Sequence, residues 1–234
     1  MSDSIHSDDP YASPRKPERN LIMALVARFI MRLVGWKIKG QFPNLPKFVI
    51  VAGPHTSNTD GLLLLAVIWA LRIRLDWLAK IELIRIPVIG WISRKLGAIP
   101  IDRSASFNAV EQAIQQINQR EKMILVVAPE GTRRKTEYWK TGFYWIAHGA
   151  DIPILTVVVN YRDKCVDLNG PLIKPSGDIE ADMQIIWDFF QTGVGRHPER
   201  TGEMRLRPSS LRPPGSNTDT SVDNRVAGGA AEIE

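Results

Sequence analysis

The sequence predicts an α/β fold: a single domain with a mostly parallel central sheet flanked by helices, preceded by an N-terminal amphipathic helix. Short apolar runs rich in β-branched residues, of which residues 123–127 are the clearest, indicate buried strands. Amphipathic stretches such as residues 104–120 lie between them and indicate helices. Strands that alternate with helices in this way are typical of a sheet covered on both faces. With 234 residues, 44% of them hydrophobic, the chain is long enough for one substantial core.

The two ends of the chain differ in composition from its middle. Residues 1–20 and 196–234 are rich in polar and charged residues, proline and glycine, and contain few apolar residues to offset the entropy of ordering. We therefore predict disordered tails on both sides of one folded domain over residues 21–195. Within that domain we predict that residues 21–40 form an amphipathic, membrane-associating helix, which carries arginine on one side.

The remaining elements follow from apolar spacing and from glycine and proline positions. Buried strands are predicted at residues 47–52, 76–80, 98–101, 123–127 and 152–160. Helices are predicted at residues 21–36, 61–73, 82–96 (interrupted at Pro87 and Gly90), 104–120, 139–148 and 179–190.

The distribution of charge indicates which classes of partner the chain can bind. The net charge is +5 and the pI about 9.4, but no groove-reading motif or aromatic-interleaved basic stripe supports nucleic acid as a partner. Basic residues instead surround the apolar N-terminal segment, a pattern that an anionic membrane surface attracts. Its apolar runs are shorter than the roughly 20 residues that a membrane span needs. A single cysteine, Cys165, fits a reducing compartment, so we expect a peripheral position on the cytoplasmic face of a membrane.

His55 and Asp60 are the strongest candidates for chemistry. His55 follows a predicted buried strand, at the end where α/β sheets place their ligands. Asp60 lies five residues on at a helix start, so a turn between them brings its carboxylate to the imidazole. Such a carboxylate fixes one ring nitrogen and leaves the other free to accept a proton. A pair at this spacing also arises by chance, so it predicts a general base only together with other signals.

Two further segments predict an anion site. Glu130, Gly131, Thr132 and Arg133 follow a buried strand, and Arg103 follows another. If both strands end at the same edge of one sheet, the two arginines converge on one anion, which Arg133 can bind with two hydrogen bonds. A P-loop, a dinucleotide fingerprint, a metal-ligand cluster and a nucleophile elbow are absent from the sequence. We therefore expect no metal and no cofactor, and direct attack by a substrate hydroxyl.

Taken in order, these segments resemble the glycerolipid acyltransferase family, which contains bacterial 1-acylglycerol-3-phosphate acyltransferases. The resemblance covers roughly residues 48–160. Residues 55–60 (HTSNTD) match the family's His-x4-Asp block, and residues 97–103 resemble the second block, which ends in Arg103. Residues 129–133 (PEGTR) match the third block, and residues 152–155 resemble the fourth. Four blocks in this order make a specific signature.

The resemblance implies that His55 is the general base and Asp60 its partner. It also implies that the phosphate and glycerol part of a lysophospholipid acceptor is held by Arg103 and the Glu130-to-Arg133 turn, with acyl-CoA or acyl carrier protein as donor. Ala128, Pro100 and Thr156 depart from the family pattern and leave the acceptor open. Three alternatives remain: an acceptor without glycerophosphate, a thioesterase, and a catalytically silent membrane lipid-binding protein.

Overall fold

A computed structural model describes residues 20–102 and 106–213, with the side chains of residues 106–108 excepted. The predicted tails therefore lie outside the described residues over 1–19 and 214–234. The strands are β1 (Lys37–Lys39), β2 (Lys47–Gly53), β3 (Trp77–Lys80), β4 (Ala98–Ile101), β5 (Met123–Val127), β6 (Ile154–Asn160), β7 (Cys165–Asp167) and β8 (Leu172–Ile173). The helices are α1 (Leu21–Leu33), α2 (Thr59–Ala70), α3 (Ile81–Arg85), α4 (Pro87–Lys95), α5 (Ser106–Asn118), α6 (Gly142–Gly149) and α7 (Ile179–Phe190).

The central sheet has the order β1-β7-β6-β2-β5, with β8 also paired to β6. Strand β2 is parallel to β5 on one side and to β6 on the other, whereas β7 and β8 run antiparallel to β6. The predicted mostly parallel α/β sheet is thus confirmed. Strands β3 and β4 form a separate parallel pair that reaches the main sheet only through a bridge between Asp76 and Leu125. The strands that precede Arg103 and Arg133 thus belong to different sheets, and the condition under which the two arginines would converge on one anion is not met.

Helices cover the central sheet on both faces. Alternate residues of β2 enter opposite cores, because successive side chains of a strand point to opposite faces. Val49 and Val51 pack in one core with residues of α6 and α7, and Phe48 and Ile50 pack in the other with residues of α1 and α2. A side chain buried this fully contributes about 1.5–3 kcal/mol. The two cores hold β2, which leads to His55, in the middle of the molecule.

Helix α1 buries one face and exposes the other. The Asn20 side chain caps its N-terminus, and its small or flexible side chains Ala24, Ala27 and Met31 are buried, Ala27 and Met31 in the core shared with α2. The opposite side exposes a row of large apolar residues: Leu21, Ile22, Leu25, Val26, Phe29, Ile30 and Leu33. Within residues 20–102 and 106–213, no helix is long and apolar enough to cross a membrane.

Some predicted boundaries and elements differ from the structure. The helix predicted over residues 21–40 ends at Leu33, because Gly35 turns the chain with a φ of +80° and β1 follows at Lys37–Lys39. The interruption predicted at Pro87 exists and separates α3 from α4, but the one predicted at Gly90 is wrong. Gly90 lies inside α4 because its missing side chain lets α4 approach α3: a Cβ there would come within 2.0 Å of the Ile84 carbonyl oxygen. Strands β1, β7 and β8 were not predicted, because two or three residues are too few to show an alternating pattern.

The folded domain extends beyond Gly195, where we placed its end. Residues 196–213 pack along the domain, and Leu206 forms a parallel bridge with Trp139. The carbonyl of Ser210 accepts hydrogen bonds from Trp145 Nε1 and Thr141 Oγ1 at 3.2 and 3.3 Å. The predicted tail from residue 196 is therefore wrong up to residue 213. Three apolar residues scattered along this polar segment, namely Met204, Leu206 and Leu211, pack against the core and hold it.

Candidate active site

His55 lies in the loop between β2 and α2, at the carboxyl end of β2. The loop begins with a cis peptide bond between Gly53 and Pro54. Gly53 has no room for a side chain, because a Cβ there would come within 2.4 Å of the Phe190 ring. The His55 side chain is 29% exposed, so one edge of its ring faces solvent. The predicted position of His55 at a ligand-binding strand end agrees with the structure.

Asp60 is the second residue of α2 and its carboxylate turns back over the loop. Oδ2 lies 3.0 Å from His55 Nδ1 and accepts the backbone N–H groups of Thr56 and Ser57, each at 2.9 Å. Burial alone would raise the pKa of Asp60, but hydrogen bonds from His55, Tyr161 and Ser57 outweigh it and lower that pKa below its ordinary value. An ionised carboxylate only accepts hydrogen bonds. The proton of this hydrogen bond therefore lies on His55 Nδ1, and in the neutral imidazole it is Nε2 that carries the lone pair.

Tyr161 completes the surroundings of Asp60 and was missed by sequence reasoning. Its hydroxyl donates to Asp60 Oδ1 at 2.5 Å and lies 3.3 Å from Thr59 Oγ1. Burial, and then the bond to Asp60, raises the pKa of Tyr161 to about 12, so this hydroxyl keeps its proton. The Trp36 ring packs edge-on against Tyr161 with centroids 4.9 Å apart. Its position in the sequence could have indicated this role, because Tyr161 follows the carboxyl end of β6, the parallel neighbour of β2.

Glu130 faces inward and holds the His55 loop. Its Oε1 accepts the backbone N–H of His55 at 3.1 Å, and the residue is only 4% exposed. Its other oxygen, Oε2, is buried and has no hydrogen-bond partner among the described residues. Burial raises the pKa of Glu130 above its ordinary value. The structure thus brings Glu130 to the His55–Asp60 pair, through the backbone of His55 rather than its ring.

The other predicted binding residues lie further from the pair. Gly131 turns the chain with a φ of +62°, and Thr132 Oγ1 accepts the N–H of Arg134 at 3.3 Å. Arg133 is exposed. In the part of the chain that the structure describes, no hydrogen bond joins Thr132 or Arg133 to His55 or Asp60. Arg103 lies outside the described residues.

Residues 195–197 contact the same loop. We did not predict this contact, because we had assigned the chain from residue 196 onward to a disordered tail. Arg196 donates to Thr59 Oγ1 at 2.9 Å, and the backbone N–H of His197 donates to Thr56 Oγ1 at 3.1 Å. Gly195 approaches so closely that a Cβ would lie 2.7 Å from the Thr56 side chain. Residues 195–197 therefore help fix the loop that carries His55.

Together these groups form a site suited to proton transfer. A carboxylate orients one imidazole nitrogen of a partly exposed ring, which is the arrangement of a general base that acts through the other nitrogen. The family model described as Acyltransferase matches residues 37–160, more than half of the chain. The chain belongs to this family, which confirms the resemblance drawn from its motifs.

Individual relatives agree with the family. The chain is 27% identical over 159 residues to 1-acyl-sn-glycerol-3-phosphate acyltransferase of Haemophilus influenzae, covering 63% of this chain and 65% of that protein. It is 26% identical over 173 residues to 1-acyl-sn-glycerol-3-phosphate acyltransferase epsilon of Mus musculus, covering 68% and 45%. A third relative, from Limnanthes douglasii, is 27% identical over 147 residues, covering 60% and 51%. The chain thus spans between about half and two thirds of the length of these relatives.

A solved structure shares the fold. The crystal structure of the 1-acyl-sn-glycerophosphate (LPA) acyltransferase PlsC from Thermotoga maritima superposes with a TM-score of 0.52, covering 73% of this chain and 76% of that chain. The sequence identity is 19%. The similarity confirms the α/β fold class predicted from the sequence.

Proposed function

We propose that this protein is an O-acyltransferase that moves a fatty acyl group from a thioester, acyl-CoA or acyl carrier protein, to the hydroxyl of a lysophospholipid, and so acts in phospholipid synthesis. The acceptor we propose is 1-acylglycerol-3-phosphate, because the curated relatives are named for that reaction. The observation that carries the proposal is the His55–Asp60 pair at 3.0 Å, which orients the ring through Nδ1 so that Nε2 can act as the base.

In the proposed reaction, His55 Nε2 takes the proton of the acceptor hydroxyl while its oxygen attacks the thioester carbonyl carbon. The new C–O bond gives a tetrahedral intermediate, which collapses by breaking the C–S bond. The thiolate then leaves and takes the proton back from the imidazolium. Asp60 stabilises the imidazolium, and a base placed in this way contributes about 10²–10⁴-fold to the rate.

The acceptor phosphate has its proposed site at the turn after β5. Arg133 is exposed there, beside Gly131, and a guanidinium can bind a phosphate through two hydrogen bonds. Thr132 adds a hydroxyl to the same turn, and Arg103, which follows the two-stranded sheet, is a further proposed contact. Glu130 supports this site from inside, because its carboxylate is turned to the backbone of His55 and away from solvent.

We also propose that α1 binds a membrane surface, the place where a lysophospholipid is found, and that the protein is peripheral on the cytoplasmic face. The exposed apolar side of α1 fits the lipid interface. The Arg28 side chain is directed to α2 and not to the exposed apolar side of α1, because its Nε donates to the carbonyl of Ala70 at 2.8 Å. Arg32 and Lys37 line the neighbouring groove and remain available to anionic headgroups.

A product assay tests the acyl transfer. The purified chain is incubated with labelled acyl-CoA or acylated carrier protein and with a panel of lysolipids, and the products are identified by mass. We expect a diacyl product that forms fastest with lysophosphatidate. Free fatty acid formed equally with and without lysolipid would identify a thioesterase, and the absence of turnover with every donor and acceptor would overturn the proposal.

A further inference from the structure

Helix α4 exposes apolar side chains that no other described element covers. Val88 is 69% exposed and Trp91 64%, and Ile86, Ile89 and Ile92 are each more than 40% exposed. Val88, Trp91 and Ile92 are three and four residues apart, so they share one side of the helix. Its buried residues, Gly90 and Ser93, lie on the opposite side. The exposed side is thus a continuous apolar face, which in a folded protein marks an interaction surface.

The charges around this face are almost all positive. Between residues 80 and 95 the chain carries Lys80, Arg85, Arg94 and Lys95 against a single acid, Glu82. All five are exposed, and among the described residues none of the four cations forms an ion pair. Lys95 follows Val88 by seven residues, on the apolar side, with its Nζ 6.0 Å from the centre of the Trp91 ring. A long basic side chain in such a place can extend its charge past an apolar surface.

We propose that α4 is a second membrane-binding element, which inserts Val88, Trp91 and Ile92 among the headgroups of an anionic bilayer. Trp and aliphatic side chains on one face, with lysine and arginine at its edge, are the composition of helices that lie in a lipid interface. The surplus of cations matches the negative potential of such a membrane. The inference is independent of acyl transfer, because lipid binding needs neither substrate.

A second copy of the chain fits this face less well than a lipid surface. A symmetric contact would place the same patch against itself and bring the unpaired cations of both copies together. Helix α4 has only nine residues, and its few exposed side chains are far fewer than the roughly 20–30 residues that each partner contributes to a stable interface. An anionic bilayer, in contrast, supplies the missing negative charge without a size requirement.

Vesicle binding tests the inference with the full chain and α1 intact. We measure cosedimentation with vesicles of equal parts phosphatidylcholine and phosphatidylglycerol for the wild type and for the double variant Val88→Ser/Trp91→Ser. Each inserted apolar side chain favours partitioning of the protein onto the membrane. We therefore expect the double variant to bind the vesicles at least about tenfold more weakly than the wild type. Ile185→Ser, which removes an exposed apolar side chain from α7, should bind as the wild type does.

A charge variant separates the electrostatic part. Arg94→Gln/Lys95→Gln keeps the apolar face, and we expect it to lose most of the preference for phosphatidylglycerol vesicles over pure phosphatidylcholine. Melting curves check that both variants fold. Unchanged vesicle binding of the double variant would overturn the inference. So would sedimentation showing, without vesicles, a wild-type dimer that the double variant converts to monomer, because α4 would then cover a second copy.

Discussion

The hydroxyl of Tyr161 donates to Asp60 Oδ1 at 2.5 Å, on the carboxylate oxygen that His55 does not use. Oδ2 accepts from His55 and from two backbone N–H groups, so one oxygen is held by the motif loop and the other by Tyr161, the residue after β6. Tyr161 therefore fixes the carboxylate plane from the side opposite the loop. With a pKa raised to about 12, it remains a hydrogen-bond donor at neutral pH.

Tyr161→Phe should reduce kcat about tenfold or more while changing the KM of either substrate little. A hydrogen bond to a charged group contributes about 1.5–3 kcal/mol, and its loss lets the carboxylate rotate away from His55. Tyr138→Phe serves as a matched control, because Tyr138 packs against Arg207 and not against Asp60. Equal rates for the Tyr161 variant and the wild type would show that the loop alone positions Asp60.

Tyr161→Phe should also change how the stability of the protein depends on pH. Asp60 has a lowered pKa in the folded state, so its stabilisation is present above its ordinary pKa of 3.8 and is lost as pH falls through the folded value. Without Tyr161 the folded pKa moves back up and that stabilisation shrinks. The difference in Tm between wild type and Tyr161→Phe should therefore be largest near neutral pH and diminish below about pH 4.

Sequence reasoning found the residues that stand in local motifs. His55 and Asp60 are five residues apart, so one turn determines their contact, and β2, β5 and β6 were visible as buried apolar runs. Tyr161 and Arg196 were not found, because they reach the loop from 101 and 137 residues away and no local pattern records that distance. Glu130 was found, but we predicted that it binds the acceptor. In the structure its carboxylate instead accepts the backbone N–H of His55.

His55→Ala should lower turnover by about 10²–10⁴-fold, which is the contribution of a positioned base, while the protein stays folded because the side chain is partly exposed. Initial rates with saturating donor and acceptor measure the loss. His148→Ala is the control: His148 lies at the end of α6 against the rings of Tyr144 and Trp145. A near-native rate for His55→Ala would contradict its assignment as the base.

Arg133→Ala should raise the KM of a phosphate-bearing acceptor about tenfold or more and leave the KM of the donor unchanged. The basis is the loss of a charge-assisted hydrogen bond, which contributes about 1.5–3 kcal/mol. Arg134→Ala, a change of the adjacent exposed arginine, is the matched control. If donor affinity alone fell in Arg133→Ala, the phosphate would have to bind elsewhere.

Glu130→Gln should make the protein relatively more stable as pH rises. The pKa of Glu130 is raised above its ordinary value of 4.5, so ionisation of this buried carboxyl destabilises the fold as pH increases from 4.5 through the folded value. Glutamine keeps an oxygen for the His55 N–H and does not ionise. The Tm of Glu130→Gln minus that of wild type should grow between pH 4 and pH 8, and the exposed Glu137→Gln should show no such trend. A difference that shrinks with pH would contradict the raised pKa.

Truncation after Gly195 should destabilise the domain and slow its reaction together. The cut removes the hydrogen bonds of Arg196 and His197 to Thr59 and Thr56, and the Ser210 carbonyl that accepts from Thr141 and Trp145. Four such bonds contribute about 2–6 kcal/mol in total, and further loss comes from uncovering the core beneath Leu206. Urea unfolding of the truncated and full chains measures the first effect, and initial rates measure the second. If the free energy of unfolding and the rate both stayed the same, the domain would end at Gly195 after all. If the free energy of unfolding fell but the rate per folded molecule did not, the segment would support the fold without positioning the His55 loop.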